Sequence, residues 1–150
     1  MSDALSKALK AHEARSPSPD TLRLAFSLEC AERVRHLLED PYVVRCLDTL
    51  AAYVAGRVDR ATLDMAATEA AALATRHRGS ASLDGVGHAA VSASYAVANA
   101  LAARALQAAE YAAYAMVYAS GGYGAVGDPD SFLPETSWQL AKLDQVAQDA

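Results

Sequence analysis

Alanine fills 36 of 150 positions, and this density limits the available folds more than any motif does. Alanine loses no side-chain entropy in a helix and has the best intrinsic helix propensity. With 17 leucines and ten aromatic residues around it, such a chain disfavours a mostly β fold. One hundred and fifty residues suffice for a single buried core. The expectation is an all-α, single-domain helical bundle of about six or seven helices over residues 1–150.

Start and stop signals divide the chain. Ser2 or Asp3 can cap a short helix through about Glu13, and the prolines in ARSPSP break it. Residues 1–17 therefore read as a loosely packed N-terminal helix. Ser18 before Pro19 restarts helix, with Ser18 as N-cap and Asp20 at the positive end of the dipole. Leu22, Phe26, Cys30, Val34 or Arg33, Leu37 and Leu38 recur at three and four, predicting one helix to about Glu39. Asp40-Pro41 repeats the signal for a helix burying Val43 or Tyr42, Cys46 or Leu47, Leu50 and Val54. Asp59 can cap the next helix, roughly 60–78, whose alanines allow close approach and place it near the centre of the bundle.

Gly79 to Gly85 reads as a turn. Helical pattern then runs through 86–120, longer than a usual globular helix, and a break near Asn99 to Ala103 is expected although neither Gly nor Pro marks it. Gly121 is the expected left-handed C-cap, and 121–133 the expected Gly/Pro-containing loop. A last helix, about 134–148, turns Trp138, Leu143 and neighbours inward.

The formal charge of −5 is evenly spread, with no basic stripe, which disfavours nucleic-acid binding by phosphate neutralisation. Gly85 to Ala103 is charge-free over a membrane-span length, yet Ser92, Ser94, His88 and Asn99 dilute it. It reads as core helix, and no membrane partner is expected. Cys30 and Cys46 lie among apolar neighbours without a CxxC spacing, as buried thiols do. The first ten residues lack a secretory pattern, so a cytoplasmic location is expected.

Chemistry-bearing patterns are sparse. His12, His36, His77 and His88 stand apart, HExxH does not occur, and the acidic pair Glu29-x-x-Glu32 lacks the second close pair that a metal cage needs, so no metal, cofactor or catalytic residue is assigned. Glu32 and His36 share a helix face, as an ordinary surface pair does. Ser92 and Ser94 lie near His88 with no acid in that helix to orient the ring. The GGYG at Gly121 lacks the strand and lysine of a phosphate loop. Glu29 with Arg33, and Arg35 with Glu39, sit at i,i+4. Tyr111, Tyr114 and Tyr118 form a stripe suited to the edge of a core or to an interface, with Tyr123 just beyond.

The segment CAERVRHLLE at Cys30 to Glu39 is more distinctive. Together with Arg45, Asp48, Gly56, GHAA at Gly87 to Ala90, AEYAAYA at Ala109 to Ala115 and Trp138-Gln139, it resembles the immunity-protein family of bacterial polymorphic toxin systems, in its Imm-five-like branch. The resemblance covers roughly residues 20–145. It implies an all-helical, non-enzymatic protein that binds and blocks a cognate toxin. Members favour an acidic residue and two arginines around a proline at the start of the third helix. Here Arg45 keeps the second arginine, while Tyr42-Val43-Val44 stands where the Arg-Pro is expected.

The expected partner-binding residues are Glu29, Glu32, Arg33, Arg45, Tyr111, Tyr114 and Tyr118. Two alternatives stay open. One is a small enzyme or ligand-binding protein with His88, Tyr95, Tyr111 and Glu29 or Glu32 converging on one pocket. The other is a helical scaffold that self-associates, for example as a homodimer.

Overall fold

The computed structural model of the chain describes residues 3–77 and 86–149, so the expected Gly79–Gly85 turn lies outside the described residues. Among the described residues seven helices follow one another: α1 (Asp3–Arg15), α2 (Pro19–Arg33), α3 (Pro41–Val54), α4 (Arg60–Arg76), α5 (Val86–Leu101), α6 (Ala105–Val126) and α7 (Leu133–Asp149). Short 3₁₀ turns occupy Arg35–Leu37 and Pro129–Phe132. Among the described residues there is no strand, and the chain is an all-α single-domain bundle. No described helix is long and apolar enough to cross a membrane.

Side-chain caps set the starts of α3 and α4. The Asp40 carboxylate accepts the Tyr42 amide at 2.8 Å, and Asp59 accepts the Thr62 amide at 2.9 Å. These bonds satisfy donors that a helix start leaves open. Ser18 differs from expectation: its hydroxyl meets Thr21 Oγ1 at 2.7 Å instead of a backbone amide. Asp128 accepts the Asp130 amide at 3.1 Å and starts the second 3₁₀ turn.

Three boundaries depart from the sequence reading. The helix expected to reach Glu39 stops at Arg33 and tightens into the 3₁₀ turn. Pro41 disfavours helical backbone at Asp40, so the chain is already extended at Leu38, with φ −72° and ψ 132°. Tightening still lets Leu37 and Leu38 reach the core. The second departure is that Gly121 does not end its helix. Gly122 instead takes φ 64° and ψ −153°, a conformation open essentially to glycine, and α6 resumes to Val126 beyond this kink. The segment 121–133 is thus a kinked helix end plus a 3₁₀ turn, rather than a loop.

The third departure concerns α4. It packs mainly on α3 and α5, reaches α2 through the Arg60–Asp20 pair, and leaves Ala71, Ala72 and Met65 exposed, so it flanks the bundle. Small side chains permit close approach on one face, here Ala66, Ala70 and Ala74 beside Leu63, without requiring it on all. The centre belongs to α5, which packs on α2, α3, α4 and α6.

The core has two lobes joined through α2. Leu24 and Ala31 face Val43, Cys46, Leu47 and Leu50 of α3, while Phe26, Cys30 and Val34 face α1, α6 and α7. Phe26 is completely buried, and truncation to alanine costs about 3–5 kcal/mol in such a setting. The N-terminal helix is docked through Leu5 and Leu9, both buried beside the α7 lobe, and His12 donates to Asp144 at 2.8 Å. Cys30 and Cys46 are buried free thiols. Burial pushes the Cys46 thiol up to about 11 and the Cys30 thiol further still, because a thiolate there would lose its hydration.

Candidate functional site

The charged residues of α2 face two different neighbours. Arg33 donates from Nε and Nη2 to the two carboxylate oxygens of Glu135 at 2.8 and 3.0 Å, and its guanidinium lies 4.3 Å from the Trp138 ring centre. The Glu135 hydrogen bond raises the Arg33 guanidinium above its ordinary value. Glu29 lies 4.0 Å from Lys142. Both residues therefore belong to the α2–α7 seam, and the expected Glu29–Arg33 pair along the helix does not form.

Glu32 turns the other way. Arg35 binds both of its carboxylate oxygens at 2.8 Å and reaches Asp48 of α3 at 2.7 Å. These bonds, the Glu32 bond first, raise the Arg35 guanidinium. Glu39, expected to pair with Arg35, instead accepts from His77 Nε2 at 3.2 Å. Arg45 is exposed on α3 with its guanidinium over the Tyr42 ring at 4.5 Å. The candidate charges thus do not form one patch.

His77, Ser94 and Glu39 make a second polar chain. His77 Nδ1 lies 2.9 Å from Ser94 Oγ, and its other nitrogen faces Glu39. The order imitates a nucleophile–base–acid relay, but Ser94 is completely buried. A substrate cannot reach that hydroxyl, and the chain acts as a strut tying the end of α4 to α5 and to the α2–α3 connection. Among the described residues no group of three or more His, Cys, Asp or Glu is placed to hold a metal ion.

The tyrosine stripe divides as well. Tyr111 stacks on Tyr95 of α5 with centroids 5.2 Å apart. Tyr114 meets Phe132 edge to face at 5.1 Å, and Tyr118 lies 6.4 Å from Tyr114. Beyond the kink, Tyr123 packs edge-on against Tyr118 at 6.1 Å and against His88 at 5.3 Å. His88 stacks on Tyr118 at 5.5 Å. The start of α5 and the end of α6 thus share an aromatic corner of Tyr118, Tyr123 and His88, backed by Tyr114 and Phe132.

Tyr123 is 45% exposed and His88 is also exposed. The sequence gives no spacing that connects His88 or Phe132 to the stripe. The kink at Gly122 returns Tyr123 towards Tyr118, and the Asp128 cap turns Phe132 back onto Tyr114. His88, Tyr95, Tyr111 and the α2 acids have these separate partners, so the pocket sketched from sequence does not assemble. Comparison with protein-family models, with curated proteins and with solved structures finds no match to this chain.

Proposed function

We propose that this protein is a non-catalytic immunity-type protein of the cytoplasm that binds and blocks a cognate bacterial toxin, with the aromatic corner of Tyr118, Tyr123 and His88 leading the contact. The observation that carries this reading is the mutual packing of these three rings at the surface. Tyrosine anchors supply a large share of interface energy, and rings already held by one another lose little freedom on binding. The resemblance of CAERVRHLLE and the later motifs to immunity proteins supports the same class.

The charged seams have a supporting part. Arg33–Glu135 ties α2 to α7, and Arg35, held by Glu32, ties it to Asp48 of α3, which keeps the outer surface rigid. A net charge of −5 adds attraction to a basic partner and acts mainly on encounter rate. Blocking needs no reaction centre, since covering the toxin's substrate site is sufficient.

The test is co-expression with candidate toxins encoded beside this gene. Growth rescue and a stable complex are expected, and Tyr118→Ala or Tyr123→Ala should weaken the complex by about 2 kcal/mol, roughly thirtyfold. Absence of both rescue and complex removes the reading. A complex indifferent to both substitutions moves the contact away from the corner.

A further inference from the structure

A groove of about 480 Å³ lies between α6, the second 3₁₀ turn and α7, with Leu5 of α1 at its wall, within the size range of small-molecule sites. Leu106, Glu110 and Tyr114 line it from α6 at four-residue spacing, which stacks them along one helix face. Phe132, Thr136 and Gln139 line the opposite side. The Tyr114 and Phe132 rings meet edge to face, so the apolar wall is held in place.

Among the described residues the side-chain polar groups left free in this groove are acceptors or hydroxyls. Glu110 is half-buried, and among the described residues it has no cation and no hydrogen-bond donor. Gln139 is almost completely buried, and its amide nitrogen donates to the Ala109 carbonyl at 2.8 Å. A carbonyl takes only a donor, so this bond fixes the amide orientation and leaves Gln139 Oε1 as an acceptor. Among the described residues no Lys, Arg or His lines the groove. Glu110 stands partly exposed beside apolar walls, and a carboxylate without an ion-pair partner attracts a positive charge.

We propose that the α6–α7 groove binds a small organic ammonium ion, its charged head against Glu110 and Gln139 Oε1 and its apolar body beside Leu106, Tyr114 and Phe132. An ammonium has three donors and no acceptor, which matches a site of acceptors. The Tyr114 ring adds cation–π attraction. An anion meets repulsion from Glu110, and a neutral apolar molecule leaves that carboxylate desolvated and unpaired. The site stands independently of whether the aromatic corner engages a toxin.

Calorimetric titration of the full chain with 2-phenylethylammonium, 2-phenylethanol and 3-phenylpropionate tests this. The ammonium should bind with a Kd of about 0.1–1 mM, as expected for a ligand of this size, and the alcohol roughly tenfold more weakly or worse. Methyl NMR shifts should centre on Leu106 and Leu133. Glu110→Gln should weaken ammonium binding roughly tenfold while far-ultraviolet circular dichroism and melting stay as in the parent. No binding at about 5 mM, equal binding of the alcohol, or methyl shifts confined elsewhere overturns the proposal. So does a folded Glu110→Gln protein that binds like the parent. If that variant does not fold, the ammonium–alcohol comparison on the unaltered chain decides alone.

Discussion

Arg33 and Glu135, 102 positions apart, are joined by two parallel hydrogen bonds, and Glu135 is the more deeply placed partner, its side chain 10% exposed against 27% for Arg33. This difference predicts an asymmetry. Arg33→Met strands a carboxylate in the α2–α7 seam and should cost about 2 kcal/mol, while Glu135→Gln leaves Arg33 on Trp138 and nearer water, and should cost about 1 kcal/mol. Urea unfolding of both singles and the double should give a coupling of about 1–2 kcal/mol. Additive effects would mean that the pair contributes nothing beyond its separate packing.

Ser27 poses the opposite problem. It is completely buried on α2, and its hydroxyl has no partner among the described residues. An unmet buried hydroxyl opposes folding, and alanine is the better helix former. Ser27→Ala should therefore raise stability by about 1 kcal/mol, seen as a higher urea midpoint at unchanged slope. A destabilised variant would reveal a bonded hydroxyl.

Asp59 links the start of α4 to pH. Hydrogen bonds from the Thr62 hydroxyl at 2.7 Å and the Thr62 amide hold its carboxyl below the ordinary carboxylate range. A group whose folded value is lowered contributes stability that is present above its unfolded value and lost as pH falls through the folded one. Asparagine keeps a capping oxygen but does not titrate. The melting temperature of the parent relative to Asp59→Asn should thus be level above about pH 4 and decline below it. A difference that stays constant to about pH 2 would remove the assigned linkage.

Local chemistry made the helices legible. Asp40-Pro41 and Asp59 mark starts that the structure retains, and the three-and-four spacing of Val43, Cys46, Leu47 and Leu50 finds the buried face of α3, while Val54, expected on the same stripe, is exposed at the helix end. Long-range choices were not legible. The i,i+4 rule pairs Glu29 with Arg33, but a neighbouring helix offers Arg33 a bidentate, less exposed partner, and that geometry wins. The aromatic corner is hidden for the same reason, since only the kink at Gly122 and the turn before α7 bring Tyr123 and Phe132 to the stripe.

Helix ends show the same contrast within one motif. At the end of α3, Arg57 N–H donates to Ala52 O at 2.8 Å and Gly56 N–H to Tyr53 O at 2.9 Å, with Gly56 at φ 77°. The end of α5 repeats this bonding: Arg104 N–H to Asn99 O at 2.9 Å and Ala103 N–H to Ala100 O at 3.1 Å, with Ala103 at φ 60°. Both are Schellman caps, but only the first carries the glycine that such a cap favours. Alanine at positive φ costs about 1–2 kcal/mol, and the half-buried Ala103 methyl returns less than one buried methylene's worth, about 0.8 kcal/mol. Ala103→Gly should accordingly stabilise the protein by about 0.5 kcal/mol, and Ala103→Val should destabilise it because a branched Cβ worsens the clash. Gly56→Ala is the mirror experiment. A Cβ there meets nothing within 4 Å, so its expected loss of about 1 kcal/mol reports the backbone term without packing. Chemical unfolding of the three variants separates strain from packing, and a destabilised Ala103→Gly would show that the methyl contact outweighs the strained φ.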